Sequence, residues 1–206
     1  MERHEIMELL GQLRLAGMRA AYDEVVAAGV RAQHPFQRIF GELLLAQLAD
    51  HRARSIAYRM AVARFPVMKN LTEFDFTVSP VNHGLVRELY EGGFLATQRN
   101  AVLIGGTGTG KSHIAIAIGA NCVRNGARVR FFTAVDLVNQ LEAEGRAGKS
   151  GKLADQLVRV DLVILDELGW SAVPGQRWAD AVPPDQPALR THLDRAVDQS
   201  CLCRMA

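Results

Sequence analysis

The chain has 206 residues, 49% of them hydrophobic, and its 24 basic and 22 acidic side chains leave a formal net charge of +2. That length accommodates one domain of ordinary size with a smaller appendage, and the composition excludes a disordered or fibrous chain. A charge so near zero does not announce a polyanion partner, so any such argument rests on where the charges lie. No apolar run approaches the ~20 residues that span a bilayer, and Met1-Glu-Arg-His-Glu5 does not open a secretion signal; the expected compartment is the cytoplasm, with no membrane partner. Cys122, Cys201 and Cys203 form no Cys-x-x-Cys pair, which predicts reduced thiols rather than a disulfide framework.

In chain order, Ile6, Leu9, Leu10, Leu13 and Met18 recur at helical spacing, and Gly29 closes a second patch around Val25 and Val26, predicting one or two opening helices. After Pro35, the positions Phe36, Ile39, Phe40, Leu43 and Leu44 keep the spacing of a buried helix face, predicting a helix that continues past Leu48. Between His51 and Asn70 stand Arg52, Arg54, Arg59, Arg64 and Lys69 with no acidic residue. Pro66 is expected to stop the helix, and Leu71 to Phe76 alternates apolar and polar residues as an extended connector, placing a domain boundary near residues 66 to 80. A helix over about Asn82 to Gly92 leads to Asn100-Ala-Val-Leu-Ile104, which reads as a fully buried parallel strand. An apolar helix with Ile114, Ile116, Ile118 and Cys122 follows, then a strand over Val129 to Phe132, a helix around Leu137 to Leu141, and a third buried strand over Asp161 to Asp166. Strands and helices alternating at these intervals predict an α/β fold with a parallel sheet covered by helices on both faces, preceded by a small all-α region.

The strongest chemical signal is Gly105-Gly106-Thr107-Gly108-Thr109-Gly110-Lys111-Ser112, a complete P-loop pattern between a predicted strand and a predicted helix. Glycines let consecutive backbone amides turn toward a phosphate, and the helix start adds a partial positive charge of roughly half a unit. The pattern predicts ATP and Mg2+ as ligands, with Lys111 neutralising the outer phosphates and Ser112 on the metal. His113 completes the candidate nucleotide segment as a packing or polar residue, since no second histidine or cysteine stands at metal-ligand spacing. The strand Leu162 to Leu165 ends in Asp166-Glu167, as a Walker B element does: Asp166 suits the magnesium shell, and Glu167 suits polarising an attacking water. The arginines 52, 54, 59 and 64 admit two readings, a solvated helix face or a sequence-tolerant nucleic-acid contact. Phe36, Phe40, Phe65, Phe74 and Phe76 read as packing residues.

With Gly105 to Ala117, Arg128-Val-Arg-Phe131 and Asp161 to Gly169 in this order, the chain resembles the IstB-like ATP-binding proteins, the AAA+ helper ATPases of insertion sequences, related to the DnaC helicase loaders. Leu15-Ala-Gly-Met18, the basic helix and Phe74-Asp-Phe76 extend that resemblance toward the N-terminus, over residues 1 to about 170. The resemblance implies a helical adaptor region (1–70) contacting DNA or transposase, a connector and helix (71–98), a P-loop ATPase core (99–170) and an atypical tail (171–206). It further implies a transposase and double-stranded DNA as partners and homo-oligomers, with Lys111 and Glu167 catalytic and Ser112 and Asp166 on the metal. A helicase-loader role, or a nucleotide- and DNA-binding remnant without turnover, remains open beside it.

The tail departs from that pattern: residues 171 to 206 hold four of the seven prolines and two of the three cysteines, and no buried-strand run. An AAA+ sheet has strand order 5-1-4-3-2, so two strands, a sensor asparagine and a subunit-bridging arginine are expected there. Such arginines contribute about 10³ to 10⁵ in rate in other P-loop enzymes, and no motif assigns that place to Arg177, Arg190 or Arg195. The expectation is a tail shifted in frame or truncated after about residue 170, unpaired edges on the P-loop strand, and a weak helical stretch over Leu189 to Val197.

Overall fold

The computed structural model describes residues 1–79, 81–148, 151–167 and, in backbone only, 202–204. Two compact units divide the chain, Met1–Tyr58 and Arg59–Ala206. The division falls earlier than the proline-centred boundary at 66 to 80, within a helix that runs on without a break through residue 58.

The first unit holds α1 (Arg3–Gln12), α2 (Ala16–Arg31) and most of α3 (Phe36–Ala63). The Glu5 carboxylate accepts from the Glu2 backbone N–H at 2.6 Å, satisfying an amide at the start of α1. α2 has no capping side chain of its own; Gln47 of α3 supplies one, its Oε1 accepting from the N–H groups of Gly17 and Met18 at 2.9 and 3.2 Å. That bond requires close approach: a Cβ on Gly17 would lie 2.7 Å from the Ala46 carbonyl oxygen and the Gln47 Cα. The Ala16-Gly17-Met18 run is thus a helix-packing feature. Leu10, Met18 and Leu43 form the core of this unit.

The face expected to bury Phe36, Ile39, Phe40, Leu43 and Leu44 is only partly buried. Leu43 is in the core, whereas Phe36 is 73% exposed, Phe40 43% and Leu44 48%. The spacing is helical, as predicted, but this part of the apolar stripe is left uncovered among the described residues. Phe36 and Phe40 stack on each other, ring centroids 5.8 Å apart.

In the second unit the chain leaves α3 through Arg64, whose φ of 58° turns it out of the helix before Pro66. The connector is not fully extended as expected: Leu71–Glu73 forms a single 3-10 turn. α4 (His83–Glu91) starts at Asn82, whose side chain accepts from the Leu85 N–H, and ends at Gly92 in the left-handed region. A short α5 (Gly93–Ala96) precedes β1 (Val102–Ile104), which leads through the glycine loop to α6 (Lys111–Arg124). Then come β2 (Val129–Thr133), α7 (Ala134–Arg146), α8 (Lys152–Leu157) and β3 (Leu162–Asp166). The sequence pattern did not indicate α8; the Glu144 carboxylate accepts from its Leu153 N–H at 3.0 Å.

β2 and β3 pair in parallel, from Val129 opposite Leu162 to Thr133 opposite Asp166. Alternation along β2 sends Val129 and Phe131 into one cluster with Ile114, Ile116 and Ile118 of α6, and Phe132 into another with Leu137 of α7 and Leu153 of α8. Both faces of this pair are therefore covered by helices, and the α/β class with parallel strands is as the sequence indicates. Burial is less complete than expected: of β3 only Ile164 is buried, and Ile104 at the end of β1 is 45% exposed. Among the described residues β1 bonds to neither β2 nor β3.

β4 (Leu202–Arg204) pairs in parallel with β1, Val102 opposite Leu202 and Ile104 opposite Arg204. The expectation of a tail without a strand and of a P-loop strand unpaired on both edges is corrected accordingly; three residues are too few to register as a periodic signal. Residues 168–201, with Arg177, Arg190, Arg195 and the stretch Leu189 to Val197, lie outside the described residues, as do the frame or truncation of the tail and Pro80. No helix among the described residues is long and apolar enough to cross a membrane.

The β2–β3 pair is locked at its start. Asp161 accepts from the Arg128 backbone N–H at 2.8 Å and from Arg128 Nε and Nη2 at 3.1 and 2.8 Å. The Arg128 hydrogen bonds, side chain first and backbone second, hold the Asp161 carboxyl below its ordinary range. A depressed folded value gives stability that is present above the unfolded carboxylate range and is lost as pH falls through the lower folded value. Asp161→Asn is therefore expected to flatten the acid limb of unfolding free energy against pH, with a small effect at neutrality because both side chains are more than a third exposed. Gly17→Ala is expected to lower stability by about 1–3 kcal/mol in urea unfolding, because the atoms it meets, two of the backbone and the Asp50 Cβ, cannot swing away.

Candidate functional site

The glycine loop joins the end of β1 to the start of α6, and α6 is apolar nearly all round. Ile114, Ile116, Ala117, Ile118, Gly119, Ala120, Cys122 and Val123 are all buried. Gly119 lets the helix sit close on its neighbours: a Cβ there would lie 2.5 Å from Ile164 Cδ1 and 3.1 Å from the Phe65 ring. Packing on all sides fixes the direction of α6, and with it the position of its first turn.

That first turn has no side-chain cap among the described residues. Gly110 occupies the N-cap position at φ 88°, where a glycine has no side chain to offer the opening amides. Gly108 also has a positive φ of 80°, so two glycines supply conformations that other residues adopt at a cost. Gly105, Gly106, Thr107, Gly108 and Ser112 are exposed, while Thr109, Gly110, Lys111 and His113 are half-buried. Thr109 Oγ1 donates to the Gly106 carbonyl at 2.9 Å, closing the loop on itself. Lys111 Nζ donates to the carbonyls of Gly105 and Gly106 at 2.7 and 2.6 Å. The ammonium group is thus folded back over the mouth of the loop, with no carboxylate among the described residues neutralising it.

These features fit an anion: uncapped helix amides, a positive helix end and an ammonium group held by carbonyl dipoles.

Asp166 and Glu167 stand at the end of β3, Asp166 opposite Thr133 of β2. Asp166 is half-buried, and its Oδ1 accepts from the Glu167 backbone N–H at 2.9 Å. Glu167 is exposed and has φ 60°, a left-handed conformation that costs a non-glycine residue about 1 kcal/mol or more. The backbone therefore turns sharply at the carboxyl end of the strand and presents two adjacent carboxylates. No group of three or more His, Cys, Asp or Glu side chains gathers at metal-binding distance among the described residues.

His113 does not point to a catalytic role. Its Nε2 lies 2.9 Å from the Asn70 carbonyl, an acceptor, so Nε2 carries the proton. The ring meets Phe74 edge-on at 5.3 Å. Phe74 itself lies against the loop: a Cβ on Gly110 would be 2.3 Å from its Cε2. From sequence Phe74 reads only as a packing residue, because nothing in its local pattern signals a neighbour 36 residues away.

The four candidate arginines have different surroundings. Arg52 is exposed on α3, and Arg54 is ion-paired with Asp50. Arg59 is half-buried, with Nη1 3.5 Å from where a Gly126 Cβ would stand, and Arg64 is exposed beyond the helix end. Arg130 of β2 belongs to the same region. It donates to the Val62 carbonyl at 2.9 Å and lies over the Phe132 ring, while burial and then the Arg64 charge disfavour its charged form.

Comparison with known proteins bears on this loop-and-strand arrangement. Residues 8–180 match the family described as IstB-like ATP binding protein. A protein named for ATP binding in insertion sequence IS5376 of Geobacillus stearothermophilus is 31% identical over 169 residues, 82% of this chain and 67% of the relative. The corresponding IS21 protein of Pseudomonas aeruginosa is 29% identical over 168 residues, 81% of this chain and 63% of the relative. One from Sinorhizobium fredii is 32% identical over 164 residues, 79% of this chain and 55% of the relative. The chain thus spans between about half and two thirds of the length of these relatives. The family match also runs beyond residue 170, where the sequence resemblance was expected to stop. On the extent of that match, the chain belongs to the IstB-like ATP binding protein family.

Proposed function

We propose that this chain is an ATP-binding helper protein of DNA transposition that holds ATP with magnesium at Gly105 to Ser112 and acts in the cytoplasm with a transposase on double-stranded DNA. The observation that carries the nucleotide part is the pairing of an uncapped α6 N-terminus with a Lys111 ammonium group bonded to the Gly105 and Gly106 carbonyls. Exchanging two neutral carbonyls for a phosphate gives Lys111 a charge-assisted partner at little conformational expense. The loop amides would take the inner phosphate oxygens.

Ser112 and Asp166 would hold the magnesium ion, whose contribution when bound is to neutralise phosphate charge. Glu167 is the candidate for orienting the attacking water, and its turn at φ 60° is consistent with a side chain held for a task. His113 contributes to the nucleotide segment through the backbone of the first turn, its ring being engaged with Asn70 and Phe74. The transposition role rests on the insertion-sequence relatives, and homo-oligomers on the family resemblance.

Lys111→Ala is expected to weaken ATP–Mg2+ binding by at least about tenfold in a fluorescent-nucleotide titration, the scale of a charge-assisted hydrogen bond of roughly 1.5–3 kcal/mol. Glu167→Gln should bind ATP as the parent does and show no phosphate release. Unchanged binding in Lys111→Ala would remove the phosphate-cradle reading. For the DNA part, Arg52, Arg59 and Arg64 are the candidates that make no salt bridge among the described residues, Arg52 and Arg64 being exposed and Arg59 half-buried. Replacing all three with Ala should weaken duplex binding uniformly across sequences and reduce the salt slope by about 0.9 for each phosphate no longer neutralised. A slope equal to the parent's would return these arginines to a solvated helix face.

A further inference from the structure

The segment ahead of the nucleotide core is fastened to α6 by interactions that the phosphate-binding reading does not use. Asn70 is the anchor. Its carbonyl accepts from His113 Nε2 at 2.9 Å in the first turn of α6, and its Oδ1 accepts from Arg124 Nη2 at 3.1 Å at the last residue of the same helix. Asn70 Nδ2 donates to Glu73 Oε1 at 2.9 Å, which holds the 3-10 turn that delivers Phe74.

Phe74 then rests on Gly110, the residue where loop becomes helix. Gly110 has φ 88°, and its carbonyl accepts the Ile114 N–H at 2.9 Å, so the first helical hydrogen bond and the last turn of the loop share this residue. The Phe74 ring is in edge contact with His113 at 5.3 Å and with Phe76 at 4.8 Å, and Phe76 lies 4.2 Å from His83. The ring occupies the space a Cβ on Gly110 would need. A shift of Gly110 toward Phe74 therefore meets the ring, and withdrawal of the ring removes that restraint on the loop.

We propose that Phe74 is a positioning residue for the phosphate loop, and that the 70–76 connector, seated through Phe74 on Gly110 and through Asn70 on His113, is tightened by nucleotide and so reports its presence. The inference rests on the phosphate-binding reading of Gly105 to Ser112. If a seated connector favours the binding-competent loop, linkage requires that nucleotide favour the seated connector by the same factor. A purely structural contact would gain from nucleotide only the protection that the rest of the second unit gains.

The experiment combines hydrogen exchange with nucleotide titration on the full chain. In the parent protein, ATP–Mg2+ should slow exchange at the backbone amides of residues 71–77 more than it slows exchange in β2 and α7. Phe74→Ala should weaken ATP binding about tenfold, within the usual range of coupling between sites, and Phe74→Leu, which keeps an apolar body against Gly110, should restore part of that affinity. Exchange at 71–77 slowed no more than in β2 and α7, in a parent protein that binds ATP, overturns the proposal, and this readout does not depend on any variant folding. Phe74→Ala binding ATP as tightly as the parent also overturns it. Lys111→Ala is the control that separates the two levels: if it binds ATP like the parent, the phosphate-binding reading fails and the Phe74 inference falls with it.

Discussion

Ile114, Ile116, Ile118, Cys122 and Val123 bury α6 against the strands, and the position of the phosphate loop follows from that burial. Each large aliphatic side chain removed from water contributes about 1.5–3 kcal/mol, so the helix is held by its body and not by its ends. Its N-terminus can therefore remain uncapped, with two glycines and a lysine where a stable surface helix would place serine or aspartate. The polar cost of that uncapped end is confined to the few amides of its first turn. A phosphate group would meet the same amides that a capping side chain meets elsewhere.

The same packing ties the second half of the site to the first. Gly119 brings Ile164 of β3 against α6, while Thr133 and Asp166 close the β2–β3 register at the end where the carboxylates emerge. The Arg128–Asp161 lock fixes the opposite end of that pair. The β2–β3 register thus places Asp166 and Glu167 at the carboxyl end of the pair, where the Glu167 N–H donates to Asp166 Oδ1.

Much of this was legible in the sequence because it depends on local pattern. The glycine loop, the apolar run of α6 and the acidic end of β3 each declare themselves within a dozen residues. What was not legible depends on long-range partners. Phe36, Phe40 and Leu44 have the spacing of a buried face, yet the described helices do not cover them, because periodicity reports a stripe and not its partner. Gln47 capping α2, Phe74 on Gly110 and the three-residue β4 beside β1 all join residues far apart in the chain. The 3-10 turn at Leu71 and the six-residue α8 are too short to leave a periodic signal.

A ready phosphate site formed by the amides opening α6 together with Lys111 is the premise on which the proposed function stands. The most direct test is the nuclear magnetic resonance spectrum of the 15N-labelled chain as ADP–Mg2+ is added. The largest shifts are expected on the amides of Gly106 to His113, which exchange solvent for phosphate oxygen. Shifts absent from those amides, or centred on a different part of the chain, would contradict that premise.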